Sequence, residues 1–198
     1  MIALAVFVKN PIPGKVKTRI GNEIGHEAAT EIYKRLLSLL FKQLSKIQDT
    51  VDIHIFYADE IAEKDLWNDL NCKKHKQIGH DIGERMFHAF ELLLHDYKKV
   101  ILFGSDIPQL NASHIFKAIE SLDFHDIVLG PSSDGGYYLM GCTSIQKSLF
   151  SNIEWSTNQV LNKTIQAIGT CGLEFELIEE LTDIDTYDDW LKSGIDLH

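Results

Sequence analysis

Short apolar segments alternate with longer amphipathic ones along the 198-residue chain, and no internal repeat or linker rich in proline and serine interrupts that order. Near-continuous apolar runs are typical of strands that are buried between helices on both faces of a sheet. The alternation therefore predicts an α/β fold built on a mostly parallel open sheet. The predicted strands are 2–8, 51–57, 100–103, 127–129, 137–140 and 174–178.

The amphipathic segments predict helices that cover this sheet. The strongest spans 23–47, where Ile32, Leu36 and Leu40 recur at helical spacing and basic side chains occupy the other faces, so we interpret the apolar stripe as core. Further helices are predicted at 62–70, 83–95, 113–121, 157–168 and 187–193. Ligands of open α/β sheets bind at the carboxyl ends of the strands, so we expect the chemistry in the loops that follow them.

Length and charge narrow the function classes. A chain of 198 residues suits one domain, which we assign to residues 1–198. With 19 Lys and Arg against 29 Asp and Glu, the formal charge of −10 argues against a nucleic acid partner. The apolar run 2–8 is too short to cross a membrane and has no basic segment before it, as an export signal would. We therefore expect a cytoplasmic protein without a membrane partner.

The loop after the first strand reverses the charge of this acidic chain. Two prolines and Gly14 constrain it, and Lys15, Lys17 and Arg19 offer charge-assisted hydrogen bonds to phosphate oxygens. The loop matches neither a GxxxxGK[ST] nor a GxGxxG pattern, which argues against a P-loop ATPase and a dinucleotide oxidoreductase. We interpret it as an anion cradle, and a solvated basic turn is the alternative.

Two later loops carry carboxylates that suit a divalent cation. Asp106 directly follows an apolar strand, and Asp183 and Asp185 lie on one face of an extended segment. Mg²⁺ and Mn²⁺ take one or two carboxylates and complete their shell with phosphate and water oxygens. The alternative is structural: Asp106 caps or turns the chain before a proline, and Thr186 or Asp185 caps the helix that follows.

Two further segments have both a functional and a structural interpretation. Gly135 and Gly136 free the backbone beside Asp134 and two tyrosines, which indicates either the lip of a pocket or a hairpin turn. In the segment 77–86, Gln77 or Asp81 is suited to recognise a base or ribose, and Arg85 to support phosphates. Helix capping by Asp81 is the interpretation that we favour on residue chemistry alone.

Five of these segments, taken together, resemble one known family. They are KNPIPGKVKTRI, QIGHDIGERM, GSDIPQL, GPSSDGGYYLMG and DIDTYDDW, and their order is that of the DUF2064 family of bacterial GT-A-like transferases. Some members are called arsenosugar-biosynthesis glycosyltransferases or radical-SAM/selenodomain-associated transferases. The resemblance covers essentially the whole chain and extends to the nucleotide-diphospho-sugar transferase superfamily.

The resemblance implies a fold and roles for individual residues. It implies a Rossmann-like three-layer α/β/α sandwich of GT-A type with a mostly parallel mixed sheet. It assigns Asp106 to a divalent metal that holds the donor diphosphate, with Asp185 as the second carboxylate. The first loop of the superfamily packs around the nucleotide, and this implies donor contacts for Lys9, Gly14, Lys17 and Arg19.

Three functions follow as hypotheses. The first is a Mg²⁺- or Mn²⁺-dependent transferase that passes the glycosyl group of a nucleotide sugar to a small acceptor, with Asp134 orienting or deprotonating the acceptor. The second is transfer of a nucleotide from GTP or CTP to a phosphorylated metabolite. The third is an inactive nucleotide-binding module that regulates a partner. GxGTR is absent after the first strand, and the metal loop has no DxD triplet.

Overall fold

The structure is a computed structural model that describes residues 1–197. Its centre is a seven-stranded sheet with the order β3-β2-β1-β4-β6-β5-β7. The strands are β1 (Ile2–Val8), β2 (Asp52–Tyr57), β3 (Cys72–Lys76), β4 (Lys99–Phe103), β5 (Ile127–Pro131), β6 (Tyr137–Cys142) and β7 (Phe175–Leu177). The helices are α1 (Thr18–Ile24), α2 (His26–Leu44), α3 (Ile82–Leu94), α4 (Ala112–Ser121), α5 (Val160–Thr170) and α6 (Tyr187–Ser193).

The sheet is mixed because one strand reverses. Strand β6 runs antiparallel to both of its neighbours, β4 and β5, and the other pairs are parallel. Strand β1 lies between β2 and β4, so the chain leaves β1 toward one side of the sheet and later returns on the other. Such a reversal of strand order opens a crevice at the carboxyl ends of the two strands.

Side chains of β1 alternate between two buried layers. Leu4 and Val6 pack in a cluster with residues of α2 and α4, and Ala5 and Phe7 pack in a second cluster with residues of α3 and α5. A third cluster joins α1, α2 and α6 around Trp190. The predicted α/β/α sandwich is therefore confirmed, and the near-continuous apolar strands are explained by helices on both faces.

Two of the predicted helices were wrong in extent. The segment predicted as one helix from 23 to 47 contains the end of α1 and all of α2, which separate at Gly25, where φ is +96°. A positive φ cannot continue a right-handed helix, and glycine adopts it without steric cost. The helix predicted at 62–70 is only a 3₁₀ turn, Leu66–Asp69, which is capped by Asp65.

The predicted strands match observed ones, and one strand was missed. Strand β3 carries the sequence CKKHK and forms the edge of the sheet beside β2. An exposed edge strand has little apolar signal, and its lysines are typical of protected edges. None of the helices within residues 1–197 has both the length and the apolar character needed to span a bilayer.

Candidate functional site

Charged side chains of both signs line a cavity of about 450 Å³ at the carboxyl ends of β1 and β4. Val8 and Lys9 reach it from the end of β1, and Ser105 and Asp106 from the loop after β4. We call this the basic cavity because Lys9, Lys17, Arg19 and Arg85 all line it. Its position is the one at which open α/β sheets bind ligands.

Lys17 links the basic loop to the loops that carry the carboxylates. Its Nζ lies 2.6 Å from Asp106 Oδ1 and donates to the carbonyl oxygen of Ile184 at 2.5 Å, and its side chain is only 5% exposed. The backbone of Lys17 is left-handed, with φ 45° and ψ 45°, at the start of α1. This conformation is uncommon outside glycine, so the two contacts hold Lys17 in a conformation that is unfavourable on its own.

The loops that carry Asp106 and Asp185 meet at the same cavity. The Ile184 N–H donates to the backbone oxygen of Asp106 at 3.0 Å, and Asp185 accepts a bond of 2.9 Å from Arg19 Nη1. Arg19 is 72% exposed. Asp106 and Asp185, the two predicted metal ligands, are therefore each paired with a cationic side chain that the sequence predicts to contact the donor nucleotide.

A polar network under the basic loop was not predicted from the sequence. The hydroxyl of Tyr33 accepts from the backbone N–H of Lys9 at 2.9 Å and lies 2.9 Å from Ser105 Oγ. Burial, together with the charge of Asp106, raises the pKa of Tyr33, which keeps the phenol neutral. Tyr33 occupies the apolar face of α2, so its sequence pattern shows only a core residue. The network fixes the ends of β1 and β4 relative to each other.

The segment before α3 divides into lining and capping residues. Gln77 and Arg85 line the basic cavity, where Gln77 Nε2 donates to the carbonyl oxygen of Phe56 and Arg85 Nε to that of Gly79. The Asp81 carboxylate accepts from the Glu84 N–H at 2.8 Å and so caps α3. Asp81 and Gly14 are absent from the described lining of the basic cavity. The capping interpretation of Asp81 therefore agrees with the structure.

A second cavity of about 370 Å³ adjoins the first, and both are lined by Gly104 and Asp106. We call it the aromatic cavity because the rings of Tyr137 and Trp155 line it. The carboxylates of Asp134 and Asp183 also line it. The structure thus places Asp134 in the cavity next to the other predicted site residues.

The carboxylates of Asp134 and Asp183 differ in their surroundings. Asp134 Oδ1 accepts from Ser132 Oγ at 2.5 Å and from the Gly136 N–H at 2.9 Å. Burial and the nearby charges of Asp134 and Asp185 raise the pKa of Asp183 to about 6. Sequence analysis weighed Asp183 only as an alternative metal ligand, because spacing gives no sign of its burial beside a second carboxylate.

The number and arrangement of the carboxylates decide whether they fit a divalent cation. Within residues 1–197, no three His, Cys, Asp or Glu side chains cluster in a way that would hold a metal by themselves. Asp106 and Asp185 nevertheless line one cavity and offer only oxygen donors. Mg²⁺ binds proteins through one or two carboxylates plus substrate phosphates, so this pair fits a cation that arrives with a diphosphate.

This fold is shared with solved structures described as nucleotide-diphospho-sugar transferases and nucleotidyltransferases. A crystal structure from Desulfovibrio desulfuricans G20, described as a candidate nucleotide-diphospho-sugar transferase, superposes with a TM-score of 0.86 at 33% identity and covers 93% of this chain and 82% of its own. The family described as "Uncharacterized protein conserved in bacteria (DUF2064)" matches residues 42–157. The chain belongs to the DUF2064 family.

More distant relatives have names that state a reaction. A 2-phospho-L-lactate guanylyltransferase of Methanocaldococcus jannaschii is 28% identical over 139 residues, which are 70% of this chain and 59% of that protein. The chain therefore spans less than two thirds of that relative. A 4-diphosphocytidyl-2C-methyl-D-erythritol synthase from Anaerococcus prevotii superposes with a TM-score of 0.65 at 11% identity and covers 98% of this chain and 96% of its own.

Proposed function

We propose that this chain is a transferase that binds a nucleotide-activated donor in the basic cavity and passes a group to a small acceptor in the aromatic cavity. The observation that carries the proposal is the pairing of Lys17 with Asp106 and of Arg19 with Asp185 at the reversal of strand order. A lysine ammonium has three N–H donors and an arginine guanidinium has five, so both cations retain donors for phosphate oxygens. We further propose that residues 1–198 form one domain that carries both cavities.

The proposed roles follow from the positions of the side chains. Lys17 and Arg19 bind the donor diphosphate, and Gln77 and Arg85 line the same cavity for the rest of the nucleotide. Asp106 and Asp185 would hold Mg²⁺ or Mn²⁺, which neutralises the charge that builds up on the leaving diphosphate. Lys9 contributes its backbone N–H to the Tyr33 network that supports this cavity.

We favour glycosyl transfer from a nucleotide sugar. In that reaction the acceptor oxygen forms a bond to the sugar carbon while the bond from that carbon to the diphosphate oxygen breaks. The acceptor proton passes to a carboxylate, which we assign to Asp134, and Asp183 lines the same cavity as the second candidate. The nucleoside diphosphate leaves with the electron pair.

Nucleotidyl transfer is the second candidate, because the name of the guanylyltransferase relative describes that reaction. The released product separates the two: glycosyl transfer releases a nucleoside diphosphate, and nucleotidyl transfer releases pyrophosphate. Binding of nucleotides without turnover of any donor would instead support a regulatory module.

The test begins with nucleotides and nucleotide sugars, each with Mg²⁺ or Mn²⁺, in a thermal-unfolding screen. A ligand at about 100 times its Kd stabilises the folded state by roughly 2.7 kcal/mol, which is readily measured. We expect at least one diphosphate-containing nucleotide to raise Tm and its nucleoside to raise it much less. Failure of every nucleotide to raise Tm would contradict the proposal.

A further inference from the structure

The aromatic cavity differs from the basic cavity in one respect that limits its ligand. Within residues 1–197, no lysine, arginine or histidine lines it, although four cationic side chains line the basic cavity next to it. Its charged groups are all carboxylates, on Asp106, Asp134 and Asp183. A phosphate placed there would lose water without gaining a cationic partner from the side chains that line the cavity, and it would face carboxylates of its own sign.

Helix ends are the other common source of anion binding, and α3 and α5 both begin at the aromatic cavity. At the start of α5, the Leu161 N–H donates to the Gly135 oxygen and the Val160 N–H to the Thr157 oxygen. At the start of α3, the Asp81 carboxylate already occupies the cap. Two amides at the start of α5 and one at the start of α3 are therefore already bonded within the protein, and the charge of Asp81 would repel an anion at α3.

Two of the three carboxylates already have partners within the protein. Asp106 is paired with Lys17 at 2.6 Å, and Asp134 Oδ1 already accepts two hydrogen bonds. The remaining carboxylate oxygens can accept from hydroxyl groups, and the rings of Tyr137 and Trp155 can pack against the apolar face of a sugar or polyol.

We infer that the aromatic cavity accepts an uncharged compound bearing hydroxyl groups, and not a phosphate ester or a carboxylic acid. This inference rests on the proposed function. This acceptor class differs from the phosphorylated acid in the name of the guanylyltransferase relative. It also favours glycosyl transfer to a hydroxyl group over nucleotidyl transfer to a phosphorylated metabolite.

The test uses the full chain saturated with a nucleoside diphosphate and Mg²⁺, which fills the basic cavity first. Sugars and polyols are then titrated in pairs, each neutral compound beside its own phosphate ester. We expect a neutral member to bind and its ester to bind at least tenfold more weakly. An ester that binds as tightly as its parent, or no binding by any neutral member, overturns the inference. Failure of the nucleotide itself to bind would instead refute the proposed function.

Substitutions at two residues test whether the neutral compound binds in the aromatic cavity. Trp155→Ala should weaken binding of the neutral compound about tenfold, while the matched Trp155→Phe keeps a ring and most of the affinity. Asp134→Asn should reduce the preference for the neutral compound over its phosphate ester by about two- to fivefold, because it removes one negative charge from the cavity. Unchanged affinity in Trp155→Ala, with nucleotide binding intact, would also overturn the inference.

Discussion

The two adjoining cavities share Gly104 and Asp106 but are lined by opposite chemistry. In the basic cavity each of two carboxylates is paired with a cation, whereas the aromatic cavity combines carboxylates with rings. A polyanionic donor and an uncharged acceptor need these two environments. Under the proposed function, this difference would let one edge of the sheet hold both substrates in separate places.

The largest effect is expected at Lys17. We predict that Lys17→Ala weakens binding of a nucleoside diphosphate more than tenfold, because a charge-assisted hydrogen bond contributes roughly 1.5 to 3 kcal/mol. The variant should also lower Tm, since Lys17 is buried and pairs with Asp106. Calorimetric titration measures the affinity.

Lys15→Ala provides the matched control for Lys17→Ala. It removes the same charge from an exposed position in the same loop, and Lys15 is outside the described lining of the basic cavity. Its affinity for the diphosphate should stay within about threefold of the wild type. Equal losses in the two variants would mean that only the total charge of the loop matters.

Arg19→Ala should weaken ligand binding with less effect on the stability of the fold than Lys17→Ala. Because Arg19 is 72% exposed, its ion pair with Asp185 should contribute at most about 1 kcal/mol to folding. We predict about tenfold weaker binding of the diphosphate, no measurable change for the nucleoside, and nearly unchanged Tm. Equal weakening of the nucleoside would indicate a disordered loop instead of lost phosphate contacts.

Gly83→Ala alters the aromatic cavity and leaves the side chains of the basic cavity in place. A Cβ at Gly83 would lie 2.4 Å from the Trp155 ring, so the ring must move. We predict several-fold weaker acceptor binding at unchanged nucleotide affinity, with a loss of about 1 to 3 kcal/mol in stability from overpacking. A matching loss of nucleotide affinity would show that the two cavities are not independent.

A pH effect that arises outside both cavities should have the smallest influence on ligand binding. Burial lowers the pKa of His54 from 6.5 to about 4, and the charges of His75 and Lys73 act in the same direction, whereas Asp52 opposes them. Between these two pKa values the unfolded chain binds more protons than the folded one, so stability falls as pH falls.

The contribution of His54 to that loss is up to about 3 kcal/mol, and it is absent above pH 6.5. Chemical denaturation of the wild type and His54→Phe at pH 7 and pH 5 measures it. We expect a smaller decrease for the variant, with similar nucleotide affinity at pH 7. An equal decrease in both proteins would assign the acid sensitivity to other groups.

The sequence predicted the layers of the fold more completely than the site. Buried strands such as β1 have unbroken apolar runs, whereas the edge strand β3 is too polar to be recognised by the same signal. Charge and glycine patterns indicated the loops of Lys17, Asp106 and Asp134. No local pattern revealed the Lys17–Asp106 pair or the Tyr33 network, because their members lie far apart in the chain and meet only in the folded protein.

The most direct test of a metal-assisted nucleotide site in the basic cavity is the affinity of a nucleoside diphosphate with and without Mg²⁺, measured for the wild type and for Asp106→Asn. The substitution is nearly isosteric and removes one negative charge. We predict that Mg²⁺ strengthens binding to the wild type at least tenfold and has little effect on Asp106→Asn. An equal Mg²⁺ effect in both proteins would contradict the account.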